Sequence, residues 1–264
     1  MARARIHPDA LLCEGCGYEI AGLFEQDPAG ACPECGRALA ASMPGHRPGS
    51  PFQRAPRAGA GVLLQTWWHV IRRPRGVWEE VRGADSGELA SRMRTLRLWT
   101  NAAAVLGVIV LLAAMAMLGA KIGPSAWRGL LPMTLGALLL LEVLCRIESI
   151  GVRLIGRQRG WRVTPGIARA VIAHASVGWV LAGVLFTGGT WLARWSQGFV
   201  RDGGRPRAGD WLTPLLEAAP VLLPAGGFLI GLVAFEAMVY VGVRRMRFVN
   251  RERDRDEPDA EIST

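Results

Sequence analysis

Charged residues are missing from the twenty positions 99–118, and lysine is nearly missing from the whole chain, where Lys121 is the single example. In residues 99–118 the clearly polar side chains, Thr100 and Asn101, stand at the start, so the run has no polar face. A helix of a soluble core keeps one polar face, so the absence of a polar face excludes a helix of that kind. As a helix, the run would span about 30 Å, the thickness of a bilayer interior. We therefore predict a transmembrane helix over 99–118.

Two further absences concern targeting and catalysis. Residues 1–30 hold no apolar run long enough for a secretory signal, which predicts an N-terminus that stays in the cytoplasm. The His-Glu-x-x-His and Gly-x-Ser-x-Gly signatures are missing, as is a phosphate-binding glycine loop. The sequence therefore gives no ground for predicting an enzyme, and no catalytic residue is nominated.

The composition points towards a membrane. Half of the residues are hydrophobic and the formal net charge is +9. This is too apolar for an ordinary soluble domain of 264 residues. An excess of arginine is typical of proteins that bind nucleic acid or anionic lipid, and also of membrane topology signals. The positions of the arginines decide between these readings.

Four of the five cysteines form two Cys-x-x-Cys pairs separated by fifteen residues: Cys13, Cys16, Cys32 and Cys35. This spacing predicts a four-thiolate site for one structural Zn²⁺ ion. Gly17 and Gly36 follow the pairs and permit the turn that wraps two sulfurs around a metal. Metal-free pairs and a redox dithiol are the alternatives, but a reducing cytoplasm favours the metal. Zinc would supply the folding energy of so small a module.

The charge of this predicted zinc ribbon limits its partners. Residues 11–39 carry five acidic residues and one arginine, which leaves a formal charge of −4. Four thiolates around Zn²⁺ add roughly −2. Such a surface would repel phosphates, so we expect no nucleic acid partner. We interpret the ribbon as a structural or protein-contacting module, and we hypothesise that it docks on the arginine-rich loops of its own chain.

The string CEGCGYEIAGL…CPECGRAL resembles the N-terminal zinc ribbons of many uncharacterised bacterial membrane proteins. The resemblance covers about 30 residues and implies a bacterial membrane protein. A second resemblance rests on Arg73-Pro74-Arg75 followed by Trp78. With the apolar runs that come after it, this pattern is similar to the Yip family of polytopic membrane proteins over residues 62–250. Members of that family usually have five spans, one more than the four that we predict.

Between the ribbon (residues 1–40) and the first span, two segments are predicted. Residues 41–61 are rich in proline, glycine, alanine and arginine and read as a flexible linker. In the amphipathic region 62–98, apolar residues recur at helical spacing beside arginines: Leu63, Leu64, Trp67, Trp68 and Ile71. We predict a helix lying in the headgroup layer of the membrane. An amphipathic helix packed on other protein is the alternative.

The fold class that we predict is mainly α: a four-helix transmembrane bundle after the ribbon and the interfacial helix. The bundle domain covers residues 99–250, with further spans from about 130, at about 170–193 and at about 220–243, before a disordered charged tail at 251–264. Arginines concentrate before the first span, between the second and third, and after the fourth. This bias places both termini in the cytoplasm and accounts for the net charge. The predicted location is the bacterial inner membrane.

Two carboxylates inside predicted spans are candidate functional residues, because a charge in lipid is costly. Glu142 has a structural alternative, an ion pair with Arg146 one turn later. Glu236 lies too far from Arg244 for such a pair. His174 is a conceivable partner for one of these carboxylates, and Cys145 is interpreted as a small apolar residue. Two small-residue pairs, Ala103 with Gly107 and Gly227 with Gly231, predict close helix packing.

These features favour a multi-pass membrane scaffold or adaptor whose ribbon contacts a partner protein. The alternatives are a small ion- or proton-coupled transporter that uses Glu236 and a membrane enzyme without a recognised catalytic motif. The lipid bilayer is the second predicted partner, and the sequence leaves the oligomeric state open.

Overall fold

The computed structural model describes residues 10–85, 87–117, 124–201 and 212–250, and these are mainly helical. Within these ranges no β-strand forms, and two isolated antiparallel bridges join Leu12 to Glu19 and Ala31 to Ala38. The α-helices are α1 (Ala21–Gln26), α2 (Pro51–Arg54), α3 (Ala60–Arg72), α4 (Val77–Glu80), α5 (Gly87–Met117), α6 (Pro124–Arg159), α7 (Pro165–Ala175), α8 (Val177–Arg201) and α9 (Leu212–Met246). A 3₁₀ turn covers Leu39–Ser42.

The chain divides into two compact units. The first takes in Met1–Leu96, Ile147–His174 and Tyr240–Thr264, as far as these are described, and the second takes in Arg97–Arg146 and Ala175–Val239. Each domain predicted from the sequence is one continuous segment. Each of these units instead comprises segments that alternate along the chain. The ribbon, residues 41–96 and the end of α9 therefore belong to one unit.

The core of the first unit forms around Trp78, which is fully buried. Its ring packs edge-on against His174, with ring centroids 6.1 Å apart. Gly242 of α9 lies so close that a Cβ there would come within 3.0 Å of the Trp78 ring. A side chain at position 242 would therefore displace the central aromatic residue of this core.

Residues 41–61, predicted as a flexible linker, contain an ordered helix in the structure. Ser50 and Gln53 form a capping box at the start of α2, in which each side chain accepts a hydrogen bond from the other residue's backbone amide. Phe52 is buried in the core of the first unit. The Gln53 amide also donates to the carbonyl of Arg82 at 2.9 Å. The composition of residues 41–61 suggests a tether. It does not reveal these contacts, because the partner residues are distant in the sequence.

Helix α3 has two apolar faces rather than one. Leu63, Thr66 and Val70 are buried in the first unit. Leu64, Trp68 and Ile71 point outward, with 58–60% of each residue exposed. The five apolar residues predicted to share a face are thus divided between a protein-facing side and an outward side.

Small residues bring helices together in the second unit. Gly227 of α9 faces the backbone of Leu185, and Gly231 faces Ala182, with no room for a Cβ at either position. The close packing predicted from this pair is confirmed. Around Gly107, by contrast, no atom lies within 4 Å of a built Cβ, so the pair that it forms with Ala103 makes no such contact.

Two stretches among the described residues are long and apolar enough to cross a membrane: Pro165–Gln197 and Glu217–Met246. They contain the third and fourth predicted spans. The first two predicted spans fall within α5 and α6, apart from Leu118, which lies outside the described residues. A bundle of four transmembrane helices is therefore not confirmed. The predicted tail at 251–264 also lies outside them.

Candidate metal centre

The four cysteine sulfurs of the ribbon converge on one point. Those of Cys13, Cys16, Cys32 and Cys35 all lie within 4.8 Å of one another. The sulfurs of Cys13 and Cys35 are 3.5 Å apart and those of Cys16 and Cys32 are 3.6 Å apart, too long for disulfides. Sulfurs about 2.3 Å from a tetrahedral zinc ion would be about 3.8 Å apart. The four side chains are thus close enough to hold one metal ion, and four cysteines are one of the ligand sets found in structural zinc sites.

Each Cys-x-x-Cys pair is built by the same turn, repeated nineteen residues later. The amide of Gly17 donates to the carbonyl of Cys13, and that of Gly36 donates to the carbonyl of Cys32, both at 2.8 Å. Gly17 has φ +85° and Gly36 has φ +70°, a conformation that favours glycine. The glycines predicted to permit these turns are therefore in the conformation that the turns need.

The same repeat builds the small core behind the sulfurs. Ile20 and Leu39, nineteen residues apart, are both buried there with Cys13 and Cys32. The two halves are joined by α1 and by a turn in which the amide of Gly30 donates to the carbonyl of Asp27. Few apolar side chains make up this core, which fits a module that depends on its metal.

The thiols differ in their protonation. Burial raises the pKa of Cys13, but hydrogen bonds from the Cys16 and Gly15 amides outweigh burial and lower the pKa to about 7. Burial raises the pKa of Cys16 to about 12. The pKa of Cys35 is also raised: the Arg37 amide lowers it, but burial and the neighbouring Cys13 thiol outweigh that effect. A metal would therefore displace protons from this cluster when it binds.

One acidic residue of the ribbon is used within the chain. Glu14, between Cys13 and Cys16, is buried and forms an ion pair with the buried Arg47. The Arg47 guanidinium lies 2.8 Å from the Glu14 carboxylate through Nη2 and also donates to the carbonyls of Trp78 and Val81. This ion pair connects the cysteine cluster to the segment around Trp78.

The ribbon also contacts the segment after α9 and the loop before α7. The amide group of Asn250 accepts from the Leu12 amide at 3.0 Å and donates to the Leu12 carbonyl at 2.7 Å. Arg162 donates to the carbonyl of Ala10 at 2.6 Å, and Phe248 packs against Gly17. These contacts agree with the hypothesis that the ribbon docks on arginines of its own chain, and one of them, Arg162, comes from a predicted arginine-rich loop.

Sequence reasoning missed two residues that contact the ribbon, Arg47 and Asn250. Arg47 lies in the range read as a linker, and Asn250 is the last residue of the predicted transmembrane domain, beyond its last span. Glu14 inside the first Cys-x-x-Cys pair gave no signal by itself, because Glu34 inside the second pair is exposed.

The remaining acidic residues of the ribbon face solvent: Glu19, Glu25, Asp27 and Glu34 are all exposed. In the second knuckle, Cys35 and Gly36 are exposed as well, and no atom lies within 4 Å of a Cβ built at Gly36. The ribbon is therefore held within the chain through Glu14 and its neighbours, while its other carboxylates are open to solvent.

Glu142 pairs with a different arginine from the one suggested by the sequence. Its carboxylate lies 2.8 Å from Nη2 of Arg97 on α5 and accepts a 3.0 Å hydrogen bond from Asn101. Arg146, the predicted partner one turn away, is exposed. The pairing predicted along one helix is thus replaced by a pairing between α5 and α6.

Glu236 and His174 differ in their surroundings. Glu236 is exposed on α9 beside Val233 and Tyr240, which are also exposed. His174 is buried, and its Nδ1 lies 2.8 Å from the carbonyl of Ala170 in its own helix. Cys145 is fully buried, in agreement with its interpretation as a small apolar residue.

Comparison of the chain with protein-family models, with curated proteins and with solved structures gives no match. No family match therefore supports the resemblance to the Yip family. The assignment of a metal centre therefore depends on the positions of the four cysteines alone.

Proposed function

We propose that the chain is a multi-pass protein of the bacterial inner membrane that acts as a scaffold or adaptor. Its cytoplasmic zinc ribbon would present an acidic surface to a basic partner protein. The observation that carries this proposal is the difference in exposure among the acidic residues of the ribbon: Glu14 is held internally, whereas Glu25, Asp27 and Glu34 remain exposed. A partner that docks there would meet a surface that zinc keeps in shape.

The test is a comparison of proteins that co-purify with the full chain after cross-linking in cells. The substitutions Glu25→Lys, Asp27→Lys and Glu34→Lys, made together, reverse the acidic surface and leave the sulfurs in place. Glu88→Lys is the matched control, since Glu88 is also exposed and lies outside the ribbon. A partner should be lost from the triple variant and retained by the control, with equal zinc content. An unchanged set of captured proteins would contradict the adaptor proposal.

The membrane part of the proposal comprises four spans with both termini in the cytoplasm. Its support is the arginine bias together with the two described stretches that are long enough to cross a bilayer. Reporter fusions after residues 160 and 250 should be active in the cytoplasm, and fusions after residues 122 and 205 should be active outside it. A chain found in the soluble fraction without detergent would contradict this placement.

The alternative, an ion- or proton-coupled transporter that uses Glu236, receives no support from the position of this residue. Glu236 lies on an exposed apolar face of α9, away from the polar contacts of Glu142. Glu236→Gln is the discriminating variant. An adaptor should retain its captured partner with this substitution.

A further inference from the structure

The outer face of α3, formed by Leu64, Trp68, Ile71 and Arg72, leaves large apolar side chains uncovered. Leu64, Trp68 and Ile71 follow one another at helical spacing and are each 58–60% exposed. Their helix is held in place by the opposite side, where Leu63, Thr66 and Val70 are buried. A fixed stripe of this kind marks an interaction surface.

Arginines outnumber carboxylates beside this stripe, where Glu80 lies 3.2 Å from Nε2 of His69. The guanidinium of Arg72 lies over the Trp68 ring, 5.6 Å from its centroid. Arg73 and Arg75 are exposed immediately after the helix. From residue 35 to residue 78 the sequence contains seven arginines and no aspartate or glutamate. The partner of this face is therefore anionic as well as apolar.

A small groove adds a place for a polar group beside the stripe. It has a volume of about 260 Å³ and is lined by Trp68, His69, Arg72 and Arg73. Two guanidinium groups at its edge offer donors of the kind that bind phosphate. An indole ring next to a phosphate-binding group, with aliphatic side chains on one side, is the arrangement suited to the boundary between headgroups and acyl chains.

We propose that the outer face of α3 binds the headgroup layer of an anionic phospholipid membrane. Leu64, Trp68 and Ile71 enter the acyl boundary, and Arg72 and Arg73 bind phosphates. The inference rests on the proposed membrane location and deepens it, because it assigns a lipid charge preference to a named helix. A loss of about fivefold in affinity for anionic lipid is expected for each arginine removed.

The experiment uses the full chain in nanodiscs of phosphatidylcholine with increasing phosphatidylglycerol. An environment-sensitive fluorophore is attached at Ile71→Cys, and the chain without this substitution measures labelling of the native cysteines. The emission should shift to the blue as phosphatidylglycerol increases. With Arg72→Gln and Arg73→Gln added, several-fold more anionic lipid should be required. Arg54→Gln, which removes an exposed charge outside α3, should leave the midpoint unchanged.

Two results would overturn the proposal. One is emission typical of water at every lipid composition, from a chain that the nanodiscs retain. The other is a blue shift that follows the number of chains per disc rather than lipid charge, which would assign the face to a second copy. A chain that does not enter the nanodiscs at all would contradict the membrane location instead, so the two failures are distinguishable.

Discussion

Glu14 and Arg47 form a buried ion pair beside the cysteine cluster, with 6% of each residue exposed. The pair joins a ribbon residue to a segment predicted to be flexible, and the arginine is further bound by two carbonyl groups. Each charge depends on the other, because a buried charge without its partner is strongly destabilising. The docking of the ribbon can therefore be tested through this pair.

Arg47→Met should lower the free energy of unfolding of the full chain by about 3–5 kcal/mol, because Glu14 is then buried without its cation. Denaturation of the full chain in detergent, monitored by the release of zinc, measures this loss of stability. Arg37→Met is the matched control: Arg37 lies 3.8 Å from the same carboxylate but is partly exposed, so a loss below about 1 kcal/mol is expected. If the double variant Glu14→Gln, Arg47→Met were no more stable than Arg47→Met alone, the pair would not be coupled.

The purified chain should contain one zinc ion, and Cys13→Ser should abolish its tight binding because three thiolates remain. Cys145→Ser is the control, since Cys145 is buried outside the ribbon and should not change the zinc content. Elemental analysis of the full chain measures both. Zinc retained in full by the Cys13 variant would contradict the assigned ligands.

Zinc affinity should fall more steeply with acid below pH 7 than above it. Above pH 7, Cys13, with its pKa of about 7, is already deprotonated, whereas Cys16, with its pKa of about 12, must still lose a proton to bind. Below pH 7, Cys13 must lose one as well, which adds about a tenfold change in affinity per pH unit. Competition with a chelator across pH 6–8 measures the slope. A constant slope through pH 7 would contradict the lowered pKa of Cys13.

Gly17→Ala and Gly36→Ala separate two effects at equivalent positions of the repeat. Both force an alanine into a positive φ, at a cost of about 1–2 kcal/mol. At Gly17 the new methyl group also meets the Phe248 ring at 2.7 Å, whereas no atom lies within 4 Å at Gly36. Gly17→Ala should therefore be the more destabilising in denaturation monitored by zinc release. Phe248→Leu should partly rescue Gly17→Ala and should not rescue Gly36→Ala.

Arg97→Gln should lower the thermal midpoint of the full chain in detergent, because it removes the cation that Glu142 contacts between α5 and α6. Arg146→Gln removes an exposed charge one turn from the same carboxylate and should leave the midpoint unchanged. Light-scattering or dye-binding melts measure both variants. Equal effects of the two substitutions would contradict the observed pairing.

The metal site could be predicted from the sequence because its information is local. The spacing of the cysteines and the glycine after each pair specify the two turns, and the structure brings the four sulfurs together. The docking could not be predicted in the same way. Asn250 contacts Leu12, which is 238 residues away in the sequence. Neither the periodicity nor the composition near either residue predicts that contact. For the same reason, the linker prediction missed the buried Phe52.

The exposure of the cysteines differs between the two knuckles. Cys13 and Cys32 are buried, Cys16 is partly covered and Cys35 is open to water. An oxidant approaching from solution therefore meets Cys35 before the other sulfurs. Loss of the Cys35 sulfur would release the second Cys-x-x-Cys pair, while Arg47 and Asn250 would still hold the first. Oxidative damage would therefore loosen the ribbon first at its exposed second pair.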